Sequence, residues 1–353
     1  MLYVLQLSHR QARGIQEMTH PPSPRQITKT NLDKKLDPRL TIITPVFNDW
    51  SCLNRLASEL GNTLQHFGQL SLLVINDGST EPYDSDIKKN TFSNYRSVRL
   101  INLGCNVGHQ RAIAIGISLA ASENNSDFVC VIDSDGEDVP SDALVLIKSL
   151  SENPECVIVA KRTQRTESGR FKASYFVYKY IFSLLTGKNI DFGNFAAFSM
   201  STGSRFAYMP ELWNHFAATL LKSRVPIRKI ALAKGPRFYG KSRMNFVSLV
   251  NHGLAAISVL VDIAFARLLL LSTLMAAMLL ILGLVILLIR GFTLYAIPGW
   301  ATIAFGFVSL GLVQILVLVS LVSFLALSTR SNFNRPTIHT ALEYISSIEE
   351  LNS

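Results

Sequence analysis

Charge is what this chain of 353 residues lacks in two long places: no Asp, Glu, Lys or Arg stands between Arg267 and Arg290, or again between Arg290 and Arg330. An uncharged apolar run of roughly 20 residues is what crosses a bilayer core as a helix. Residues 268–289 and 300–327 therefore read as two spans, with Pro298 and Gly299 marking the turn between them. Two adjacent runs of this length count against a buried hairpin of a soluble protein. Cysteine is also scarce. Cys52, Cys105, Cys130 and Cys156 have no C-x-x-C spacing, which excludes a zinc knuckle or disulfide frame and suits free thiols in a reducing compartment. The N-terminus offers only "LYVL" before polar residues, too short for the core of a signal peptide. No aromatic-interleaved basic motif or nucleic-acid module is present, so nucleic acid is not an expected partner.

The positive charge that is present lies on one side of the spans. Lys241, Arg243 and Arg267 precede the first run and Arg330 and Arg335 follow the second, leaving Arg290 alone on the opposite loop. By the positive-inside rule both ends face the cytoplasm, giving an integral membrane protein with its globular part cytosolic, in the inner or plasma membrane if the source is bacterial. Residues 39–160 carry eight Lys and Arg against fifteen Asp and Glu, a net −7; residues 161–243 carry sixteen against three, a net +13. A basic segment next to membrane spans suits anionic lipid heads or a phosphate site, and both readings stay open.

From Arg39 onward, short β-rich runs alternate with helical ones. "LTIITPV", "LSLLVIND", "SVRLINLG", "FVCVID" and "CVIVAKR" read as strands; "CLNRLASELGNTLQHF", "GHQRAIAIGISLAAS" and "SDALVLIKSLSEN" read as helices. The alternation predicts an α/β fold with a mainly parallel sheet covered on both faces, whose ligands sit beyond the carboxyl ends of the strands. Residues 244–267 mix apolar residues with Asn251, His252 and Asp262 and read as an interfacial helix region.

The stretch "VCVIDSDGEDVP" runs a buried strand into Asp133, Asp135, Glu137 and Asp138. Carboxylates this close raise one another's pKa unless a cation neutralises them. A solvated turn or helix cap is the plain alternative, with Ser141 and Asp142 able to cap the helix after Pro140. The position at the ligand-binding edge of the sheet favours a metal site. Hard oxygen ligands select Mg²⁺ or Mn²⁺, usually shared with substrate phosphates. An EF-hand is excluded because Gly comes too early and no Glu stands at the twelfth place.

"TPVFND", "VINDGST", "NLGCNVGHQRAIAIG", "VIDSDGED" and "RFYGKSRMN", in this order, resemble the family 2 inverting glycosyltransferases of GT-A fold. With two C-terminal spans, the likeness is to the branch that loads sugars onto polyprenyl phosphate, such as dolichol-phosphate mannose synthases and undecaprenyl-phosphate glucosyltransferases. It covers residues 40–327. Pro, Ser and scattered charge without apolar periodicity make residues 1–38 a flexible arm. The interfacial region at 244–267, two transmembrane helices at 268–329 and a cytosolic tail at 330–353 follow from the charge and hydropathy pattern. The resemblance implies a cytosolic GT-A catalytic domain at 39–243. It implies that Pro45, Phe47, Asn48, Asp49, Asn76, Asp77 and Asp133 hold the nucleotide sugar, and that Asp135 and Glu137 ligate metal. The same resemblance implies that Asp138 orients the acceptor, as the catalytic residue, and that Arg162, Arg165, Arg237, Ser242 and Arg243 bind phosphates.

The implied partners are a nucleotide-sugar donor, a polyprenyl phosphate acceptor and the lipid bilayer; a homo-oligomer is compatible with this arrangement. Several positions depart from the family pattern: Asn76 and Glu137, Lys241 and Arg243 in the "RFYGKSR" element, and Asn194 and Ala196 where an acid and an Arg are usual. His109 reads as a helix-start residue and His252 as interfacial. A phosphate acceptor is already an anionic nucleophile and needs no strong base. The Q-x-x-R-W element of processive synthases is absent. A saccharide acceptor, or a non-catalytic partner protein retaining the fold, remain as alternatives.

Overall fold

The computed structural model describes residues 38–67, 69–83, 89–162, 180–240, 246–293, 299–331 and 335–352. Arg165, Ser242, Arg243 and nearly all of the predicted arm lie outside these residues, as does Pro298 of the predicted turn.

The five apolar runs form strands β1 (Arg39–Val46), β2 (Gln69–Asn76), β3 (Ser97–Leu103), β4 (Phe128–Val131) and β5 (Val157–Arg162). Three further strands, β6 (Ala196–Ser199), β7 (Ile227–Leu232) and β8 (Ile345–Glu350), complete an eight-stranded sheet in the order β7-β5-β6-β4-β1-β2-β3-β8. Pairs β1–β2, β1–β4, β2–β3 and β5–β7 are parallel, while β6 and β8 run against their neighbours. The expected α/β fold with a mainly parallel sheet is present.

Alternation along the strands sends side chains to two apolar layers. Leu40, Ile42, Leu72 and Val74 face helices α1 (Trp50–Thr63) and α3 (Pro140–Glu152). Ile43, Leu73, Ile75 and Ile101 face helix α2 (His109–Glu123) and, further out, α4 (Met200–Ala207) and α5 (Phe216–Lys222). In α1 the buried residues Leu53, Leu56, Ala57 and Leu60 recur at helical spacing and form one stripe. The small-residue run in α2 lets the helix lie close to the sheet, since a Cβ on Gly116 would collide with Ile43.

Helix α6 (Phe246–Val259) packs against α5 through Ala218, Ala256, Val259 and Leu260, joined by Phe182. It leads into α7 (Val261–Phe292) and α8 (Trp300–Ser331). Both are long and apolar enough to cross a membrane, with mean hydropathy of 2.8 and 2.5 and only 17% and 11% of their most apolar stretches buried against protein. At about 1.5 Å per residue, 32 residues reach roughly 48 Å, more than a hydrocarbon core of about 30 Å. Arg267, near the start of α7, donates to the carbonyl oxygen of Leu184 at 2.9 Å, tying that end to the sheet domain.

After α8 the chain returns to the same domain. Helix α9 (Thr337–Leu342) buries Ile338 and Ala341 in the layer that holds α2, and β8 pairs with β3. The two long helices are therefore a hairpin with both ends on the sheet domain.

Candidate active site

Four strands carry their last residues to one edge, and the loops beyond them assemble the site. After β4, Ile132 still donates to Ile43 O at 3.0 Å, and the chain then turns through Asp133 to Asp138. Gly136 makes that turn at φ +85°, where a Cβ would also lie 2.5 Å from the Phe238 ring. Residues 235–238 are fastened onto it: Gly235 N–H donates to Glu137 O and Phe238 N–H to Asp135 O, both at 2.9 Å.

That fastening lays two cations over the acids. Lys234 Nζ is 2.7 Å from Glu137 Oε2. Arg237 bridges two loops, with Nη1 3.1 Å from Asp135 Oδ2 and Nη2 3.2 Å from Asp49 Oδ2. At the end of β5, Arg162 contributes a third cation, 2.6 Å from Asp138 Oδ1 and 3.4 Å from Glu137 Oε2. The sequence motifs point to Arg162 and Arg237; Lys234, three positions before Arg237, stands outside them.

Asp138 is 3% exposed. Burial first, then the Asp133 charge, push its carboxyl up to about 7 against the pull of Arg162. Burial and the same neighbour also raise Asp135. For Asp133, burial works against ionisation, but His109 beside it holds the carboxyl below the ordinary value. Loss of water likewise opposes charge on His109, and the Asp133 carboxylate outweighs it, raising the imidazole. Asp133 Oδ1 is nonetheless buried without a hydrogen bond of good geometry, although His109 Nε2 stands 3.1 Å away. His109 is the first residue of α2, as expected, and it also reaches the acidic cluster. Asn194 lies beside it, 3.0 Å from the same nitrogen.

The other implied nucleotide residues are divided in their surroundings. Asn48, at φ +49°, accepts from the N–H groups of Thr80 and Glu81 at 2.8 and 3.1 Å and so pins the "DGST" turn to β1. Asp49, Trp50, Glu81, Arg237 and Tyr239 line a cleft of about 690 Å³ with it. Phe47 is exposed beside it, whereas Pro45 is buried inside β1. Asp77 is 4% exposed and accepts from Val107 N–H at 2.7 Å and Gly108 N–H at 3.2 and 3.1 Å. Its carboxylate thus fixes the loop that starts α2. In the turn before that loop, Gly78 is required, because a Cβ would fall 2.6 Å from Asn106 N.

The donor set fits a hard divalent cation in part. Asp133 keeps one buried oxygen without a hydrogen bond, and the Asp135 carboxyl is raised although Arg237 pairs with it. Glu137 is already held by Lys234 and Arg162, and among the described residues no three His, Cys, Asp or Glu side chains converge as a complete metal cage. The turn is no mere helix cap: α3 begins at Pro140 after Val139, without a side-chain cap.

Residues 41–212 match the family described as Glycosyl transferase family 2. Among curated relatives, the undecaprenyl-phosphate 4-deoxy-4-formamido-L-arabinose transferase of Proteus mirabilis is 24% identical over 226 residues, covering 60% of this chain and 65% of its own length. The uncharacterized glycosyltransferase YkoT of Bacillus subtilis is 29% identical over 142 residues, covering 38% and 41%. The match thus spans less than two thirds of either relative. Among solved structures, glucosyl-3-phosphoglycerate synthase from Mycobacterium tuberculosis in complex with Mn²⁺, UDP-glucose and phosphoglyceric acid is similar, with a TM-score of 0.47, 14% identity, and coverage of 64% of this chain and 80% of that one.

Proposed function

We propose that this chain, which carries a glycosyl transferase family 2 domain at residues 41–212, moves a sugar from a nucleoside diphosphate donor to polyprenyl phosphate at the cytoplasmic face of a membrane. The observation that carries the proposal is one arrangement: a carboxylate cluster clasped by Arg162, Lys234 and Arg237, on a domain that holds both ends of an apolar helical hairpin. Cations flanking acids suit a site that must take up a diphosphate and a lipid phosphate together. The name of the Proteus mirabilis relative supports the same acceptor class.

In this reading Asp49 and Asn48 border the donor cleft, and Arg237 can leave Asp135 to meet the donor's diphosphate. Asp135, with Asp133 beside it, would hold Mg²⁺ or Mn²⁺, which neutralises charge on the leaving diphosphate. Glu137 stays with Lys234 and Arg162. Arg162 orients the acceptor phosphate and Asp138 fixes Arg162. With both ends of the hairpin on the sheet domain, the positive side of α7 and α8 faces the cytoplasm.

One observation favours a second reading. A carboxyl raised to about 7 is matched to general-base work on a hydroxyl, so Asp138 suits a saccharide acceptor as well. Full-length protein in detergent, incubated with Mn²⁺, a panel of nucleotide sugars, undecaprenyl or dolichyl phosphate and a soluble oligosaccharide, separates the readings by mass spectrometry of the lipid and aqueous fractions. A glycosylated lipid establishes the first. Sugar transferred only to a soluble saccharide establishes the second, and no turnover with any donor removes both.

A further inference from the structure

The C-terminal strand β8 reaches the edge of the site through a hydrogen-bond chain with a fixed direction. Asn102, at the end of β3, donates from Nδ2 to Glu349 Oε1 at 2.6 Å and to Ser347 Oγ at 3.0 Å, both on β8. Its Oδ1 accepts from Asn76 Nδ2 at 2.8 Å, and Asn76 Oδ1 accepts from Ser79 N–H at 3.0 Å. An ionised carboxylate can only accept and a backbone N–H can only donate. The two ends therefore fix the order between them: neither amide can turn over without setting donor against donor or acceptor against acceptor.

The sheet is shaped for this contact. The β3–β8 register shifts between Asn102 and Leu103, and such irregularities re-aim side chains near binding sites. Asn76, Ser79, Tyr83, Asn102 and Glu349 border a cleft of about 360 Å³, and Glu81 lines both this cleft and the larger one beside Arg237.

We propose that Glu349 and Asn102 are positioning residues that set the nucleotide base preference of the donor by holding the Asn76 amide in one orientation. The inference rests on the proposed nucleotide-sugar donor and on Asn76, one of the residues read as holding it, facing its base. With the amide locked, Asn76 presents one set of donor and acceptor positions to a base. With Asn102 gone only Ser79 N–H holds the amide, so a base of the other pattern turns it over at the cost of one hydrogen bond instead of two. A site built to hydrogen-bond a ligand rejects analogues strongly because its own polar groups are otherwise left unpaired, and that rejection requires a fixed amide.

The test is calorimetric binding of UDP, GDP, CDP and ADP to the full-length protein with Mn²⁺. The wild type should separate its best and worst nucleotides by at least tenfold, and Asn102→Leu and Glu349→Ala should narrow the ratio to about threefold, chiefly by strengthening the worst ligand. Glu350→Ala serves as the strand control, because Glu350 touches Ser97 and not the chain to Asn76; it should keep the wild-type ratio. An unchanged ratio in Asn102→Leu and Glu349→Ala overturns the inference while leaving nucleotide binding intact. Failure of the wild type to bind any of the four removes the nucleotide-sugar reading itself.

Discussion

Arg237 holds Asp135 and Asp49 at once, at 3.1 and 3.2 Å, and so spans the loops that follow β4 and β1. One guanidinium thus pairs with a carboxylate on each of the two loops. Replacing Asp135 by Ala should lower turnover by at least about a hundredfold, the scale of losing an electrostatic contact that acts in the transition state. Thermal unfolding should move by only a few degrees, because the partner Arg237 keeps Asp49. Near-normal turnover in Asp135→Ala would remove its assigned role.

Asp138 distinguishes the two acceptor classes. A hydroxyl acceptor needs a base, and Asp138→Asn would then cost about 10²–10⁴-fold in kcat and abolish the rise in rate through pH 7. A phosphate acceptor predicts a loss below about tenfold, with a pH profile largely kept, because the nucleophile is already charged. Rate against pH for wild type and variant, with the acceptor that is glycosylated held saturating, checks this.

A histidine pair joins α5 to α6, the helix that leads into the apolar hairpin. His215 caps α5 by accepting from Ala218 N–H at its Nδ1, so its proton sits on Nε2 and is donated to His252 Nε2 at 3.0 Å. Burial, then the neighbouring His252, lower His215 from 6.5 to about 3. Such a group binds more protons unfolded than folded, so its contribution is full above pH 6.5 and is lost as pH falls towards 3. His215→Asn keeps a good cap without a titrating ring. Its unfolding temperature should fall less steeply than that of the wild type between pH 6.5 and pH 4.5; parallel curves would contradict the assignment.

Gly136→Ala places a methyl group against Phe238 at a backbone angle that side chains rarely adopt. A loss of about 1–3 kcal/mol in stability is expected. Because residues 235–238 are fastened to this turn, activity should fall with it. Equilibrium denaturation alongside turnover measures both.

Much of this architecture is legible in the sequence, and the exceptions have physical causes. Strands β1 to β5 announce themselves because they lie under helices and are apolar almost throughout. β6 is only four residues long, β7 exposes Arg228 and Lys229 along its edge, and β8 is exposed and acidic, so none carries the expected apolar run. The acids of the site were readable from their crowding after β4. The reach of Lys234 and His109 into the cluster was not, because each meets an acid distant in the chain. The 337–350 segment, read only as tail, packs onto the domain because Ile338 and Ala341 find an apolar layer that no local pattern reveals.

The most direct test of the lipid acceptor is the mass of polyprenyl phosphate recovered after wild-type protein, in vesicles containing that lipid, is given nucleotide sugar and Mn²⁺, with Asp135→Ala as the parallel sample. The expected result is a lipid heavier by one sugar residue in the wild type and unchanged lipid in the variant. An unchanged lipid in the wild type, while the same protein glycosylates a soluble saccharide, would contradict the polyprenyl phosphate acceptor.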